Sequence, residues 1–175
     1  TAEDGVFITS DYGESWMSWN FGLIDLDIYC LALSPNFAND MTLYVGTETG
    51  LFCSRNAGKS WHDLPFPMTD APVLSMAITP AGQIVLGTED NGLFVSDDNG
   101  QTWLPIPTVE RGTIHTIQAV GERVFVLTEQ QVLIVQLSDL TVTTHTTFDD
   151  VSPIVLGQAG DRWLVGYTDG RSDVI

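Results

Sequence analysis

Histidines and carboxylates are the residues of this chain that could carry acid–base or metal chemistry. The sequence has 23 Asp and Glu residues and three histidines, His62, His115 and His145. No histidine has a Cys or Asp at the spacing of a metal site or a catalytic triad. Among so many acids, some pair will by chance lie roughly 5–10 Å apart, the separation that glycoside hydrolysis requires. The residues therefore predict no catalytic group, no metal site and no cofactor.

The charge balance limits the classes of partner. Six Lys and Arg against 23 acids give a net charge of −17 at pH 7. That field repels phosphate backbones and anionic membranes, so we expect no nucleic-acid or membrane partner. Basic proteins, cations and neutral ligands remain open. The two cysteines, Cys30 and Cys53, are too few for a disulfide framework and are interpreted as buried structural thiols.

An internal repeat is the dominant feature of the sequence. The segments Thr9–Trp16, Ser54–Trp61 and Ser96–Trp103 share the pattern Ser/Thr, Asp/Asn, Gly, Ser/Thr and Trp, and their tryptophans are 45 and 42 residues apart. A period in the forties between short apolar runs is typical of four-stranded propeller blades. It does not fit a helical solenoid.

The runs between these segments read as strands. They are short, rich in β-branched residues and separated by Gly, Pro, Asn and Asp. We name the four strands of each unit A to D, from the channel outward. The sequence predicts an all-β propeller of about four blades, divided into a half-blade 1–25, blades 26–70 and 71–112, a degenerate blade 113–151 and a half-blade 152–175.

The three repeated segments resemble the Asp-box, or BNR repeat, at the turn between strands C and D. The family includes sialidases, some glucanases, sortilin-like receptors and photosystem assembly factors. The resemblance implies a structural role, in which the acid accepts backbone hydrogen bonds, glycine takes a positive φ and tryptophan packs between blades. The residues concerned are Asp11, Gly13 and Trp16; Asn56, Gly58 and Trp61, with Asn where Asp is usual; and Asp98, Gly100 and Trp103.

The resemblance makes a sialidase the sharpest enzymatic alternative, and the residues do not support it. That family uses three converging arginines and an Arg-Ile/Val-Pro motif, which is absent here. Arg123 and Arg162 fall at A–B turns and Arg55 lies inside a repeated segment. Arg111 and Arg171 are then too few for a triad. A piece of an Asp-box glycoside hydrolase and a photosystem-assembly-factor-like protein stay as alternatives to a non-catalytic binding scaffold.

Acidic residues recur where the B–C and D–A loops should open on one face. Strand B ends in Thr-Glu three times, although the fold does not require the glutamate. We interpret this as an acidic face for a protein or small ligand, formed by Glu48, Glu89, Asp90, Glu129, Asp169, Asp27 and Asp70. Tyr29 and His115, in strands A, are expected to line the channel. The alternative interpretation is that the glutamates only solvate tight turns.

The two ends of the sequence are complementary halves of a blade. The first has strands C and D, whereas the last has A, B and a little more. Unpaired strand edges are avoided in stable β proteins. One hypothesis is a homodimer in which each N-terminal half completes the other copy's C-terminal half, giving an eight-bladed ring. The rivals are a four-bladed ring within one chain and a piece of a longer protein. The family resemblance favours an extracellular or periplasmic location.

Overall fold

The computed structural model of the chain describes residues 4–68, 71–107, 112–149, 152–160 and 162–175, so Asp70 and Arg111 lie outside the described residues. The elements in chain order are β1 (Phe7–Ile8), β2 (Met17–Ser18), β3 (Ile28–Leu33), the helix α1 (Phe37–Asp40), β4 (Leu43–Thr47), β5 (Leu51–Ser54), β6 (His62–Asp63), β7 (Val73–Ile78), β8 (Ile84–Thr88), β9 (Leu93–Ser96), β10 (Leu104–Ile106), β11 (Ile114–Val120), β12 (Arg123–Thr128), β13 (Gln131–Gln136), β14 (Thr141–Thr147), β15 (Pro153–Ala159), β16 (Arg162–Tyr167) and β17 (Ser172–Val174).

The described strands form five antiparallel sheets, which we number in chain order. They are β1–β2, then β3–β4–β5–β6, β7–β8–β9–β10 and β11–β12–β13–β14, and finally β15–β16–β17. Strand β3 contacts β7, β7 contacts β11 and β11 contacts β15. The strands β3, β7, β11 and β15 therefore line the central channel, and each of their sheets runs outward from it. This arrangement confirms the predicted all-β propeller with about four blades.

The fifth sheet has one strand more than the predicted A–B pair. Strand β17 pairs with β16 in a register that sets Val174 opposite Leu164. A tight turn joins them, because the Gly170 N–H donates to the Tyr167 carbonyl over 3.1 Å. Gly170 has φ +84°, which glycine adopts at little cost. This Asp-Gly turn brings the last residues back along β16.

Alternation along each strand packs the sheets against both neighbours. In the second sheet Val45, Phe52 and Trp61 share an apolar cluster with residues of the first sheet. Their sequence neighbours Tyr44 and Cys53 point the other way, into a cluster shared with the third sheet. Successive side chains of a strand lie on opposite faces, so a sheet covered on both faces has no solvent side. This explains why all residues of β4 and β5 are buried.

The three repeated turns have nearly the same internal hydrogen bonds. In the third turn the Gly100 N–H donates to Ser96 Oγ over 2.9 Å, and the Thr102 N–H donates to Asp98 Oδ1 over 2.8 Å. Thr102 Oγ1 also donates to Asp98 Oδ2 over 2.7 Å. The first turn repeats this pattern through Thr9, Asp11 and Ser15. The second turn keeps both backbone bonds through Ser54 and Asn56, but its side-chain bond is reversed, since Asn56 Nδ2 donates to Ser60 Oγ.

Two consecutive residues of each turn have a positive φ. They are Tyr12 and Gly13, Ala57 and Gly58, and Asn99 and Gly100. In each turn, the residue two positions before the glycine accepts backbone hydrogen bonds through its side-chain oxygen from the far side of this left-handed segment, as in Asx turns. Asparagine in the second turn keeps the bond to the backbone, since the Ser60 N–H donates to Asn56 Oδ1 over 2.9 Å.

The three tryptophans differ in burial, against the expectation that all pack between blades. The Trp61 side chain is buried, and its indole N–H donates to the Trp19 carbonyl in the segment after β2 over 2.8 Å. Trp103 donates in the same way to the Pro65 carbonyl, after β6. Each of these rings thus rests on the preceding sheet. Trp16 is 59% exposed, because its sheet has no preceding sheet in the described chain.

Acid titration should test the carboxylate of the third turn. Hydrogen bonds from the Thr102 side chain and backbone lower the pKa of Asp98 from 3.8 to about 2. A carboxyl whose pKa falls on folding stabilises the fold above its unfolded pKa, and this contribution is lost as pH falls through the folded pKa. We therefore expect Asp98→Asn to flatten the pH dependence of unfolding free energy between about pH 4 and 2, as measured by urea unfolding.

The matched control is the reverse change in the second turn. Asn56→Asp places a carboxylate in an equivalent set of donors, so its unfolding free energy should fall more steeply with acid than that of the unchanged chain. Equal slopes for the unchanged chain and both variants would show that the turn carboxylates do not couple folding to pH.

Candidate functional site

One residue of each innermost strand is displaced from the strand pairing. The register shifts between Ile28 and Cys30 in β3, and equivalent shifts occur in β7, β11 and β15. Each shift marks a β-bulge, which leaves one residue unpaired and turns its side chain. The extra residues are Tyr29, Leu74, His115 and Ile154. The propeller thus presents four variable side chains at equivalent points of its inner strands.

The Thr-Glu pairs at the ends of the B strands have divided roles. Thr47 is buried, and its hydroxyl donates to the Gly50 carbonyl and accepts from the Gly50 N–H over 3.1 Å. Thr88 and Thr128 close the next two B–C turns through equivalent bonds. The glutamates that follow are exposed. The threonine hydroxyl therefore closes the turn, whereas these bonds do not use the glutamate side chain.

The bulge residue Tyr29 joins the inner strand to this acidic edge. Its hydroxyl donates to Glu48, and the ring is 48% exposed. The bond to Glu48 raises the pKa of Tyr29 to about 12, helped by partial desolvation and by the charges of Glu48, Asp27 and Glu89. Three carboxylates from two sheets therefore act on one phenol. The tyrosine stays a neutral hydrogen-bond donor at physiological pH.

The D–A loop of the first and second sheets is fixed to the same edge. Thr49 donates to Asp25 Oδ2 from its backbone N–H over 2.8 Å and from its hydroxyl over 2.7 Å. Partial burial raises the pKa of Asp25, but these hydrogen bonds outweigh it, so the net pKa is lowered. Asp25 is therefore a charged anchor for the loop that carries Asp27.

A cleft of about 580 Å³ lies between the fourth and fifth sheets. It combines the bulge residues His115 and Ile154 with the end of the fourth sheet's B strand at Glu129. Thr113 Oγ1 donates to Glu129 Oε1 over 3.5 Å. The remaining lining residues are Gln130, Phe148, Ser152, Pro153 and Thr168. An imidazole, a carboxylate and an aromatic ring in one cleft suit a polar ligand with an apolar part.

The predicted acidic residues do not form one cluster. Glu48 accepts a hydrogen bond from Tyr29, its backbone N–H donates to the Asp27 carbonyl over 3.2 Å, and the charge of Glu89 acts on Tyr29 from the next sheet. Glu129 lies in the cleft of the fourth and fifth sheets, and Asp90 is exposed in the third sheet's B–C turn. Asp169 is different, because its Oδ2 accepts a hydrogen bond from Arg171 over 2.6 Å and its charge is partly neutralised. Asp70 lies outside the described residues.

Among the described residues, no three His, Cys, Asp or Glu side chains are grouped as metal ligands would be. The two thiols are packed between sheets. Cys30 Sγ donates to the Val73 carbonyl over 3.5 Å, and burial raises the pKa of Cys30 to about 12. Ser75 makes the equivalent bond to the Ile114 carbonyl. The side chains of Cys30 and Ser75 thus each link one innermost strand to the next.

Sequence reasoning located the Thr-Glu turns but missed the bulges. The four A strands align, so Tyr29, Leu74, His115 and Ile154 could have been recognised as one equivalent position. Nothing in the residue types marks this position as unpaired, because a bulge is a property of the register between two strands. Tyr29 and His115 were predicted to line the channel for their place in strand A alone.

Comparisons with known proteins identify the fold. No protein-family model matches the chain, and no match to a curated protein sequence was found. Among solved structures, the chain is similar to the GH74 xyloglucanase from Xanthomonas campestris, with 19% identity, a TM-score of 0.71, and coverage of 99% of this chain and 32% of that one.

Two further neighbours are not described as hydrolases. The extracellular domain of BT4673 from B. thetaiotaomicron has 15% identity, a TM-score of 0.79, and coverage of 99% of this chain and 25% of that one. YCF48 bound to D1 peptide has 15% identity, a TM-score of 0.65, and coverage of 81% and 48%. The chain thus spans a quarter to a half of the length of these neighbours. In the part of the chain that is described, no helix has the length and apolarity needed to cross a bilayer. These likenesses show that the chain has a β-propeller fold.

Proposed function

We propose that this chain is a non-catalytic propeller module whose acidic loop face binds a basic segment of a partner protein. We also propose that its repeated turns are Asp-boxes, supported by their equivalent hydrogen bonds and positive-φ pairs. In this proposal the turns hold the blades. The binding residues are those that the fold does not need.

The observation that carries the proposal is the hydrogen bond from the exposed Tyr29 to Glu48, whose backbone N–H donates to the Asp27 carbonyl. The charge of Glu89 on the next sheet also acts on Tyr29. A cation bound beside Tyr29 would be attracted by the negative charges that act on this side chain. The tyrosine adds an amphipathic surface that can stack on a guanidinium group. Together with the net charge of −17, this face favours approach of a Lys- or Arg-rich segment.

Binding of an arginine-rich synthetic peptide should test the face directly. We expect the double variant Glu48→Gln, Glu89→Gln to weaken binding about twofold to thirtyfold, since each of two exposed ion pairs contributes about 0.2–1 kcal/mol. The peptide's association rate should also fall as ionic strength rises. Isothermal titration calorimetry gives the affinity, and stopped-flow fluorescence gives the rate.

The control must distinguish an effect of the acidic face from an effect of the protein's overall negative charge. Glu122→Gln removes an exposed carboxylate at the β11–β12 turn, on the opposite side from the B–C turns, so it should change affinity little. A citrulline peptide of the same length tests the need for positive charge. Binding that is insensitive to salt, or equally weakened by Glu122→Gln, would contradict the proposal.

A piece of a glycoside hydrolase is the second candidate, favoured by the likeness to a GH74 xyloglucanase and by the cleft holding Glu129 and His115. Incubation with xyloglucan, followed by a reducing-sugar assay, tests this idea. Release of sugar that is lost in Glu129→Gln would support a hydrolase and displace the binding module. A photosystem-assembly-factor-like protein is a third candidate, favoured by the likeness to YCF48, a propeller solved with a bound peptide.

A further inference from the structure

Three departures from the repeat meet in one cleft on the side of the propeller opposite the acidic loop face. The cleft has a volume of about 270 Å³ and lies where the A–B and C–D turns of the second sheet approach the C–D turn of the third sheet. Both sheets have all four strands, so the walls of the cleft do not depend on any further blade. The lining side chains are Ser34, Asp40, Thr42, Tyr44, Arg55 and Asn99.

The first departure is the long turn between β3 and β4. It spans residues 34–42 and includes the helix α1, whereas the equivalent turn of the third sheet spans only residues 79–83. Two hydrogen bonds hold the long turn in place. The Ser34 N–H donates to the Thr42 carbonyl over 2.9 Å, and the Ala57 N–H of the second repeated turn donates to the Met41 carbonyl over 2.9 Å. The turn is therefore a fixed wall, which the third sheet lacks.

Asp40, at the end of α1, gives this wall a fixed negative charge. Its Oδ2 accepts a hydrogen bond from Ser34 Oγ over 2.6 Å, and its Oδ1 accepts one from the Thr42 N–H over 2.8 Å. The bond from Ser34, followed by that from Thr42, lowers the pKa of Asp40, so the carboxylate is charged at neutral pH. Each carboxylate oxygen can accept a second hydrogen bond, which leaves places for a donor in the cleft.

The second departure is the hydroxyl of Tyr44 in β4. At the same distance from the threonine that ends strand B, the third sheet has Val85 and the fourth has Phe125, so the fold needs an apolar side chain here but no hydroxyl. The Tyr44 side chain is 3% exposed, and its hydroxyl has no hydrogen-bond partner among the described residues. No fully buried side-chain oxygen of these residues lacks a partner. The hydroxyl must therefore open into the cleft that Tyr44 lines.

The third departure is Arg55, the second residue of its repeated segment, where the third segment has Asp97. In the third sheet Asp97 accepts a hydrogen bond from Gln83, the residue before strand B, over 2.7 Å. Thr42 holds that place in the second sheet, but its hydroxyl donates to the Asp40 carbonyl. Arg55 is exposed and forms no ion pair with a carboxylate of the described residues. A positive and a negative side chain thus line one cleft without pairing.

The phenol lies within the fields of both charges. Burial is the main cause that raises the pKa of Tyr44 to about 12, so the hydroxyl stays protonated and can donate a hydrogen bond at neutral pH. The charges of Arg55 and Asp40 also act on this hydroxyl, in opposite directions. The cleft therefore offers a hydrogen-bond donor together with one positive and one negative group.

We propose that this cleft binds a small amino acid as a zwitterion, with the ligand's carboxylate at Arg55 and its ammonium group at Asp40. The Tyr44 hydroxyl donates to the same carboxylate. Asp40 and the net charge of −17 disfavour a simple anion, and Arg55 disfavours a simple cation. The cleft, at about 270 Å³, lies below the usual range for drug-sized ligands, which favours a molecule of this size. This site is separate from the acidic loop face and does not rest on the function proposed for that face.

Nuclear magnetic resonance titration of the isotope-labelled chain is the first test. The probes are L-serine, β-alanine and γ-aminobutyrate, which place ammonium and carboxylate groups at increasing separation. We expect at least one of them to shift the backbone amide signals of Thr42, Arg55 and Asn99 until the site is saturated. Butyrate and butylamine each keep only one charge of γ-aminobutyrate, and both should bind at least about tenfold more weakly than the best amino acid.

Two variants and a matched control locate the ligand. Arg55→Gln should weaken binding of the best amino acid at least about tenfold, and Tyr44→Phe about threefold, since each removes a donor to the carboxylate. Phe125 is buried at the equivalent position of the fourth sheet, so Tyr44→Phe should keep the amide spectrum of the folded protein. Arg123→Gln removes an exposed positive charge at the β11–β12 turn, outside the cleft, and should leave binding unchanged. The proposal is overturned if none of the three amino acids saturates these signals, if butyrate binds equally well, or if either cleft variant binds like the unchanged chain.

Discussion

Replacing Trp61 with alanine is expected to lower the free energy of unfolding by about 3–5 kcal/mol. The ring is 2% exposed and packs in a cluster that joins the first and second sheets. Its removal opens a cavity between them and leaves the Trp19 carbonyl without the indole donor. Urea unfolding followed by far-ultraviolet circular dichroism measures the change, because this signal comes mainly from the backbone and remains after one tryptophan is removed.

Two further variants separate packing from hydrogen bonding. Trp61→Phe keeps most of the ring volume but loses the indole N–H, so it should cost about 1–2 kcal/mol. Trp16→Ala, at the same repeat position but exposed, should cost much less. An equal loss for Trp16→Ala and Trp61→Ala would show that contact with the preceding sheet is not what makes Trp61 important.

Gly46→Ala is expected to cost about 2–3 kcal/mol, although the substitution adds only one methyl group. The new Cβ would lie 2.6 Å from the Val73 carbonyl oxygen and 2.6 Å from Cys30 Sγ. Backbone atoms of a buried inner strand cannot move aside cheaply, so the second and third sheets must separate. This separation would also break the hydrogen bond from Cys30 to the Val73 carbonyl.

The matched control for Gly46 is another strand glycine with free space. Gly157 lies in β15, and a Cβ there meets nothing within 4 Å, so Gly157→Ala should change stability by less than about 0.5 kcal/mol. Comparing the urea midpoints of the two variants isolates the inter-sheet contact from the general effect of alanine in a strand. Similar midpoints would show that the sheets do not depend on this close approach.

The repeat made the fold predictable because its signals are local. The segments ending in Trp16, Trp61 and Trp103 specify their own turns, since each side-chain acceptor lies within four residues of its donor. Short apolar runs between them can only be strands at this spacing. The propeller and its blade count therefore followed from residues that interact with near neighbours along the chain.

The candidate site depended on contacts between distant residues. Glu89 acts on Tyr29 from the neighbouring sheet, and Ile154 and Glu129 line one cleft from two adjacent sheets. The bulges that displace Tyr29 and His115 arise from the pairing of two strands. No residue type signals a β-bulge. The sequence therefore predicted an acidic loop face but not which of the acids act on Tyr29.

The exposure of Trp16 shows the same division most clearly. Its sequence is as good a match to the repeat as that of Trp61, and its turn forms the same hydrogen bonds. Whether the indole is buried depends on whether another sheet covers it, which is a property of the assembled blades. The sequence by itself determined the strands, the turns and the negative charge of this protein. Only the tertiary structure decided which faces are covered and which stay open, because burial is set by neighbours that lie about 40 residues away in the chain.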